Sequence, residues 1–230
     1  MTKMSQSRVF PVKICGLTRW EDVSLAAELG AWALGFIFYP KSRRYIAPEE
    51  VRLLIDQLHE QFQRPIKTVA VVVNETRASL QDLVAKSGVD TVQLHGDESA
   101  EILQNISEHL EVDIIKAFRP KEVADLEGME KYQAANHFLI DAAVDGAYGG
   151  TGHKADWSLA KHVQSKAIAP LILSGGITAE NVVAAVREVQ PVAVDLSSGV
   201  EKSPGIKSHT KLRELFRQLK EQRSCYETLS

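Results

Sequence analysis

Short runs of β-branched and other apolar residues recur eight times along the chain, separated by longer segments with helical spacing. The third run, residues 69–73, is apolar at every position, which is typical of a parallel strand covered on both faces. Strands are predicted at 10–15, 32–38, 67–73, 90–95, 113–118, 137–141, 170–174 and 192–196, and helices at 20–29, 48–62, 77–87, 98–109, 121–134, 156–164, 179–189 and 208–222. This alternation predicts parallel strands joined by crossover helices.

A length of 230 residues suits one large α/β barrel or two small domains. A doubly wound sheet usually has a phosphate-binding glycine loop after its first strand, where this chain reads Cys-Gly-Leu-Thr at 15–18. The conspicuous glycine pairs instead follow the seventh and eighth strands, where barrels build phosphate sites. We therefore predict an α/β protein with a single (β/α)8 TIM barrel over 9–222, a flexible N-terminal tail at 1–8 and a C-terminal tail at 223–230.

Several helix ends carry local signals. Thr18 is in position to start a capping box, and Pro48 suits the first turn of a helix. Gly30 and Gly88 follow helical segments where a left-handed C-cap is expected. Residues 178–181, Thr-Ala-Glu-Asn, suit a helix N-terminus.

Composition excludes several classes of function. The net charge is −3, the pI is near 6.2, and there is no long basic tract, so nucleic acid and anionic membranes are poor partners. No apolar run approaches the roughly 18 residues that span a bilayer, and residues 1–8 lack the apolar core of a signal peptide. With only two cysteines and no metal-ligand spacing among the histidines, we expect a cytoplasmic protein without a disulfide framework or a metal.

Cys15 lies where the first strand meets a glycine. A thiol at the mouth of a strand could be a base or a nucleophile. Free cysteine is also among the most buried residue types, so a small core residue is the alternative interpretation. Lys13, two residues earlier on the same strand face, is a candidate neighbour that would stabilise a thiolate.

Two similar segments end in glycine: residues 171–176, Leu-Ile-Leu-Ser-Gly-Gly, and residues 194–199, Val-Asp-Leu-Ser-Ser-Gly. Glycine lets the backbone approach a ligand, and successive N–H groups form an anion-binding concavity. A third small-residue loop, Gly-Gly-Thr-Gly at 149–152, could close over the same ligand. The alternative is that all three are tight turns between a strand and a helix.

Polar side chains also occur at strand ends. Asp141 ends the sixth strand, and a carboxylate there is conspicuous because carboxylates are seldom buried without a partner. Gln93 and His95 share a face of the fourth strand, although His95 could equally be a core histidine with a backbone partner. Asp195, on the eighth strand, could be a structural hydrogen-bond acceptor.

The basic segment 39–45 is either a solvated loop or a binding site for a carboxylate, which arginine binds bidentately.

These motifs together resemble the phosphoribosylanthranilate isomerases of tryptophan biosynthesis. The matching segments, in the family's order, are KICGLT at 13–18, GFIFYPKSRRYI at 35–46, VVVNE at 71–75, VQLHGDE at 92–98, GGTG at 149–152, LILSGGIT at 171–178 and VDLSSGVEKSPGIK at 194–207. The chain departs from the family at Ala155, where an aromatic residue is usual before Asp-Trp. This departure is expected to alter the packing of the sixth loop more than the chemistry.

The resemblance implies a barrel enzyme that isomerises N-(5-phosphoribosyl)anthranilate to 1-(2-carboxyphenylamino)-1-deoxyribulose 5-phosphate without metal or cofactor. It places the general base on Cys15, the general acid on Asp141 and the contact to the anthranilate carboxylate on Arg44. The predicted substrate-binding residues are Arg44, Gln93, His95, Asp195, Gly150, Ser174, Gly175, Gly176, Ser197, Ser198 and Gly199. A small-molecule substrate and a monomer are expected.

Three alternatives remain at this point. Indole-glycerol-phosphate synthase would need a lysine acid as well as glutamates on the barrel strands. The histidine-pathway isomerase would need paired aspartates on opposed strands, and here the first strand ends in Cys15. The third alternative is a catalytically silent barrel that senses a phosphorylated metabolite, which would need neither Cys15 nor Asp141.

Overall fold

The computed structural model describes residues 10–141, 157–166 and 168–227, and the side chains of these as far as residue 220. Eight parallel strands pair in chain order and close into a barrel through pairing of the first with the eighth. They are Val12–Cys15 (β1), Ala33–Ile37 (β2), Lys67–Val72 (β3), Thr91–Leu94 (β4), Asp113–Phe118 (β5), His137–Asp141 (β6), Leu171–Ser174 (β7) and Ala193–Leu196 (β8). The predicted TIM barrel is confirmed.

The helices lie outside the barrel and follow the predicted positions closely. They are Trp20–Leu29 (α1), Pro48–Gln61 (α2), Arg77–Ser87 (α3), Ala100–His109 (α4), Ser158–Lys166 (α5), Val182–Val189 (α6) and His209–Glu227 (α7). A short antiparallel hairpin, Glu201–Ser203 (β9) and Ile206–Lys207 (β10), precedes α7. The last helix continues beyond residue 222, so the predicted tail at 223–230 begins within it; residues 1–8 lie outside the described range.

The predicted helix at 121–134 is wrong. Two 3₁₀ turns, Val123–Leu126 and Met129–Lys131, stand in its place. The Asp125 carboxylate accepts hydrogen bonds from the backbone N–H groups of residues 121 and 122, which fixes a tight turn at the start. Gly128 then adopts a φ of +82°, which interrupts any continuous helix.

Some helix-end signals are confirmed and others are wrong. Gly30 and Gly88 both adopt the left-handed C-cap conformation, and Pro48 opens α2. The capping box at Thr18 is wrong, because α1 begins at Trp20 and the Thr18 hydroxyl donates to the carbonyl of residue 205 in the hairpin instead. The helix after β7 begins at Val182, three residues later than predicted.

The apolar core has two parts. The larger part lies between the strands and the surrounding helices. The smaller part fills the barrel and comprises Ala33, Val69, Ile115, Ala117, Leu139, Ile172 and Ala193. Side chains two positions apart on a strand share a face. The residues two positions after Leu139, Ile172 and Ala193 are polar (Asp141, Ser174 and Asp195), so the apolar interior gives way to polar groups toward the carboxyl ends of these strands.

Among the described helices, none combines the length and the apolar character needed to cross a bilayer.

Candidate active site at the carboxyl end of the barrel

Cys15 is the last residue of β1 and is 5% exposed. Gly16 follows with a φ of +74°, and a Cβ there would lie 2.7 Å from Cδ of Arg44. Gly35 is in register with Cys15 on β2, and a Cβ at Gly35 would lie 3.0 Å from the Cys15 Sγ. The two glycines therefore leave room for the thiol and for the Arg44 side chain at one corner of the barrel mouth.

The groups around the Cys15 thiol shift its pKa in opposite directions. Burial raises the pKa of the Cys15 thiol, and the positive charge of Lys13 lowers it. Asp195 raises this pKa further, and Lys207 lowers it. Burial prevails, so the pKa of Cys15 lies above its ordinary value. A base at this position therefore depends on the nearby ammonium groups.

A polar arc runs inside the barrel from β1 across β8 and β7 to β6. Lys13 Nζ donates to Oδ1 of Asp195 at 2.8 Å, and the Ser174 hydroxyl donates to Oδ2 of Asp195 at 3.2 Å. Ser174 is in register with Asp141 at the end of β6. Asp195 and Ser174 thus bind each other, and the arc links the strand of Asp141 to the strand of Cys15.

Arg44 is held by a second network that extends into the hairpin. Its Nε and Nη2 donate to the two carboxylate oxygens of Glu201 at 2.8 and 2.7 Å. Lys207 Nζ donates to Glu201 Oε1 at 3.0 Å and to the carbonyl of Cys15 at 2.5 Å. Burial alone would raise the pKa of Glu201, but Arg44 and Lys207 hold it below its usual range. The hairpin therefore fixes both Arg44 and the end of β1.

Gln93, His95 and Asp141 are brought together at the ends of β4 and β6. The Gln93 amide nitrogen and the His95 Nδ1 lie 2.8 Å apart, and the His95 Nε2 lies 4.0 Å from Oδ2 of Asp141. Burial lowers the pKa of His95, and the negative charge of Asp141 acts in the opposite direction. Among the described residues, Oε1 of Gln93 is buried without a hydrogen-bond partner. An unpaired buried oxygen costs about 1–3 kcal/mol, which a ligand donor would offset.

The glycine loops after β7 and β8 pack directly against each other. Gly175 and Gly176 adopt φ angles of +89° and +63°. The Asn181 side chain stabilises this turn: its Nδ2 donates to the carbonyl of Gly176, and its Oδ1 accepts from the N–H of residue 178. A Cβ on Gly199 would lie only 1.9 Å from the carbonyl oxygen of Ile177. The two predicted phosphate loops therefore form one continuous backbone surface beside Ser197 and Ser198.

Gly199→Ala is expected to separate these two loops, because the added methyl group cannot fit against the Ile177 carbonyl. We expect destabilisation of about 1–3 kcal/mol, the usual cost of overpacking. Urea unfolding measures this change in the free energy of unfolding. Ser198→Ala is the control, since it changes the exposed neighbouring side chain without adding volume. An unfolding midpoint for Gly199→Ala equal to that of Ser198→Ala would contradict the tight packing.

Some predicted residues lie outside the described range, and two residues that bond to the candidate site were missed. Gly150, its loop at 149–152 and Ala155 belong to the first group. Glu201 and Lys207 belong to the second, although both are buried charges. The sequence pattern that could have indicated them is a glutamate, a glycine and a lysine within seven residues just after the eighth strand. This pattern lies in the segment 194–207, which also carries the family resemblance.

The described residues contain no group of three or more histidine, cysteine, aspartate or glutamate side chains arranged to hold a metal ion.

Comparison with known proteins decides the family. A family model described as N-(5′-phosphoribosyl)anthranilate (PRA) isomerase matches residues 12–218. This chain belongs to that family. The PRA isomerase of Geobacter sulfurreducens is 43% identical over 209 residues, which cover 91% of this chain and 98% of the relative. The protein is therefore a barrel isomerase of the PRA isomerase family.

Solved structures of PRA isomerases agree with the barrel described above. A structure of mutually generated monomers of the dimeric enzyme from Thermotoga maritima is 35% identical, with a TM-score of 0.78, covering 92% of this chain and 98% of that one. A PRA isomerase in complex with reduced 1-(o-carboxyphenylamino)-1-deoxyribulose 5-phosphate is 36% identical, with a TM-score of 0.77 and the same two coverages.

Proposed function

We propose that this protein converts N-(5-phosphoribosyl)anthranilate to 1-(2-carboxyphenylamino)-1-deoxyribulose 5-phosphate by an Amadori rearrangement in tryptophan biosynthesis, with Cys15 as general base and Asp141 as general acid. The observation that carries the proposal is that Cys15 ends β1 and Asp141 ends β6, with the hydrogen-bonded groups Lys13, Asp195 and Ser174 lying between these two strand ends. The two strands carry a thiol and a carboxylate and open to the same mouth, where barrel enzymes have their active sites. The related enzyme that binds a reduced product analogue supports the same substrate class.

In the proposed reaction, Asp141 gives a proton to the ring oxygen of the furanose as the bond from that oxygen to C1 breaks. The lone pair of the aniline nitrogen forms an iminium with C1. This cation acidifies the proton on C2, which the Cys15 thiolate removes. The resulting enolamine takes up a proton at C1 and loses one from the C2 hydroxyl, which gives the ketone; Cys15 gives up one proton and Asp141 regains one in this exchange, so both groups return to their starting states. No atom is gained or lost overall, as an isomerisation requires.

The phosphate group is proposed to bind the backbone N–H groups around Gly175, Gly176, Ser198 and Gly199. Their loops contact each other, and successive N–H groups in such turns form an anion-binding concavity. Anchoring the phosphate there would leave the sugar to extend toward Cys15 and Asp141. Binding energy from this remote group then orients the reacting carbon.

Gln93 and His95 are proposed to contact the substrate at the side of Asp141. The buried oxygen of Gln93, which has no hydrogen-bond partner in the described part of the chain, supports this role, because it can accept a hydrogen bond from a substrate hydroxyl or amine. We predicted that Asp195 and Ser174 bind substrate, but the Asp195 carboxylate accepts hydrogen bonds from both Lys13 and Ser174. A structural role for Asp195 and Ser174 is therefore supported better than direct contact with the substrate.

Arg44 is proposed to meet the anthranilate carboxylate while Glu201 fixes the plane of its guanidinium. Arg44→Ala is then expected to raise KM about 10- to 100-fold, because hydrogen bonds between charged groups are worth about 1.5–3 kcal/mol. Steady-state kinetics check the value. Arg44→Lys is the matched variant, and it keeps the charge but loses the planar fork that grips a carboxylate. An unchanged KM in Arg44→Ala would remove Arg44 from the carboxylate site.

The test of the proposed function is to mix the pure protein with freshly made N-(5-phosphoribosyl)anthranilate and follow the loss of substrate fluorescence. A decay that scales with protein concentration is expected. A decay at the protein-free rate would contradict the isomerase function and favour a barrel that only binds a phosphorylated metabolite.

The monomeric state and the cytoplasmic location stay predictions. Sedimentation would test the oligomeric state, since the related Thermotoga maritima enzyme is described as dimeric.

A further inference from the structure

We propose that Lys13, held in place by Asp195 and Ser174, is the positioning residue that stabilises the thiolate of Cys15. This inference rests on the proposed role of Cys15 as the base. It assigns a purpose to a buried ion pair that the reaction itself does not require.

The geometry places the Lys13 ammonium beside the thiol. Lys13 and Cys15 are two residues apart on β1 and therefore point to the same side of the strand. Gly35, on the neighbouring strand, leaves space for both side chains: a Cβ there would lie 3.0 Å from the Cys15 Sγ and 3.3 Å from Cε of Lys13. At this range the positive charge of Lys13 lowers the pKa of the Cys15 thiol. A larger residue than glycine would push the two side chains apart.

Lys13 carries its charge although it is completely buried. Burial alone would lower the pKa of Lys13, but the negative charges of Asp195 and Cys15 outweigh this effect and raise it. The Asp195 carboxylate is itself fixed, since one oxygen accepts from Lys13 and the other from Ser174. An ammonium group is thus kept charged in the barrel interior, next to the group that must become an anion.

Burying an ion pair is costly, and an apolar pair of similar volume is often at least as stable. Neighbouring interior positions in this barrel are apolar, for example Ala33, which is in register with Lys13. The Lys13–Asp195 pair is therefore better explained by what it does to Cys15 than by stability. Because Asp195 is paired with Lys13, its negative charge raises the pKa of the Cys15 thiol less than an unpaired carboxylate would.

Other charged groups also face Cys15 and have to be separated from Lys13. Lys207 approaches from the hairpin and lowers the pKa of the thiol, but its ammonium binds the Cys15 carbonyl and Glu201. Arg44 lies over Gly16, with its guanidinium on Glu201. Of these cations, Lys13 lowers the pKa of the Cys15 thiol the most. Removal of Lys13 should therefore raise the pKa of Cys15 more than removal of Lys207.

The experiment is a pH titration of the far-ultraviolet absorbance of the Cys15 thiolate. It uses Cys225→Ser protein, so that one cysteine remains, and subtracts the signal of the Cys15→Ala/Cys225→Ser protein. Lys13→Met in this background is expected to raise the pKa of Cys15 by about one to three units, the usual effect of losing an opposite charge at this range. No substrate is needed, so the result is independent of whether the proposed reaction takes place.

Lys13→Met alone leaves the Asp195 carboxylate buried without its cation and is at risk of misfolding. Lys13→Met/Asp195→Asn removes both charges and keeps the side-chain volumes. Its Cys15 pKa is expected to rise by a smaller amount, because the effect of Lys13 on the thiol exceeds that of Asp195. Lys116→Met/Glu98→Gln removes another buried ion pair, of 2.7 Å, and is the matched control with no expected shift. An unmoved titration in the double variant at Lys13 and Asp195, or an equal shift in the control, would overturn the proposal.

Discussion

Cys15→Ala is expected to lower kcat by about 10²- to 10⁴-fold, the usual contribution of one positioned acid or base. Alanine removes the sulfur that takes the proton from C2 of the sugar. It leaves the glycine loops after β7 and β8, and Arg44 with its partner Glu201, as they are. KM should therefore stay close to the wild-type value. Steady-state kinetics with N-(5-phosphoribosyl)anthranilate separate the two parameters.

The matched control for this substitution is Cys225→Ala, which removes the other cysteine of the chain. It should keep the wild-type kcat. If Cys15→Ala turned substrate over as fast as Cys225→Ala, the thiol could not be the base. In that case, the interpretation of Cys15 as a small core residue would be correct.

Asp141→Asn is expected to have an effect of similar size, about 10²- to 10⁴-fold on kcat. Asparagine has nearly the same shape but cannot give a proton to the ring oxygen. Asp97→Asn is the control, because the Asp97 side chain is 89% exposed and lies two residues from His95. Wild-type turnover by Asp141→Asn would remove the carboxylate from the acid role.

The same substitution has a readout that needs no substrate. The negative charge of Asp141 raises the pKa of His95 against the effect of burial, so its removal should lower that pKa further. An NMR titration of the His95 ring measures the change. A His95 pKa that did not fall would show that the two side chains are not electrostatically coupled in solution, and the arrangement at the ends of β4 and β6 would have to be revised.

The barrel could be predicted from the sequence because a strand buried on both faces leaves a continuous apolar run, as at residues 69–73. The ends of helices with glycine at the C-cap were also predictable, since Gly30 and Gly88 follow a helical pattern directly. The segment at 121–134 was not, because the hydrogen bonds that the Asp125 carboxylate accepts from the backbone decide its conformation. The helical spacing of apolar residues does not show that such side-chain hydrogen bonds compete with those of a helix.

The candidate site was partly predictable for a related reason. Cys15 and Asp141 each end a strand and the glycine loops each follow one, so the barrel topology alone places them at one mouth. The partners of these groups were harder to foresee, because Glu201 binds Arg44 across 157 residues of sequence and Lys207 binds the Cys15 carbonyl across 192. The pairing of Asp195 with Lys13 depends on the register between β8 and β1, which only the closed barrel fixes.

We expect this protein alone to isomerise its substrate at the mouth of the barrel. The most direct measurement is product analysis by chromatography and mass spectrometry after the pure protein has consumed N-(5-phosphoribosyl)anthranilate. We predict a single new compound with the mass of the substrate and a ketone that borohydride reduces. Recovery of unchanged substrate, or of only anthranilate and ribose 5-phosphate from hydrolysis, would contradict the proposed isomerase activity.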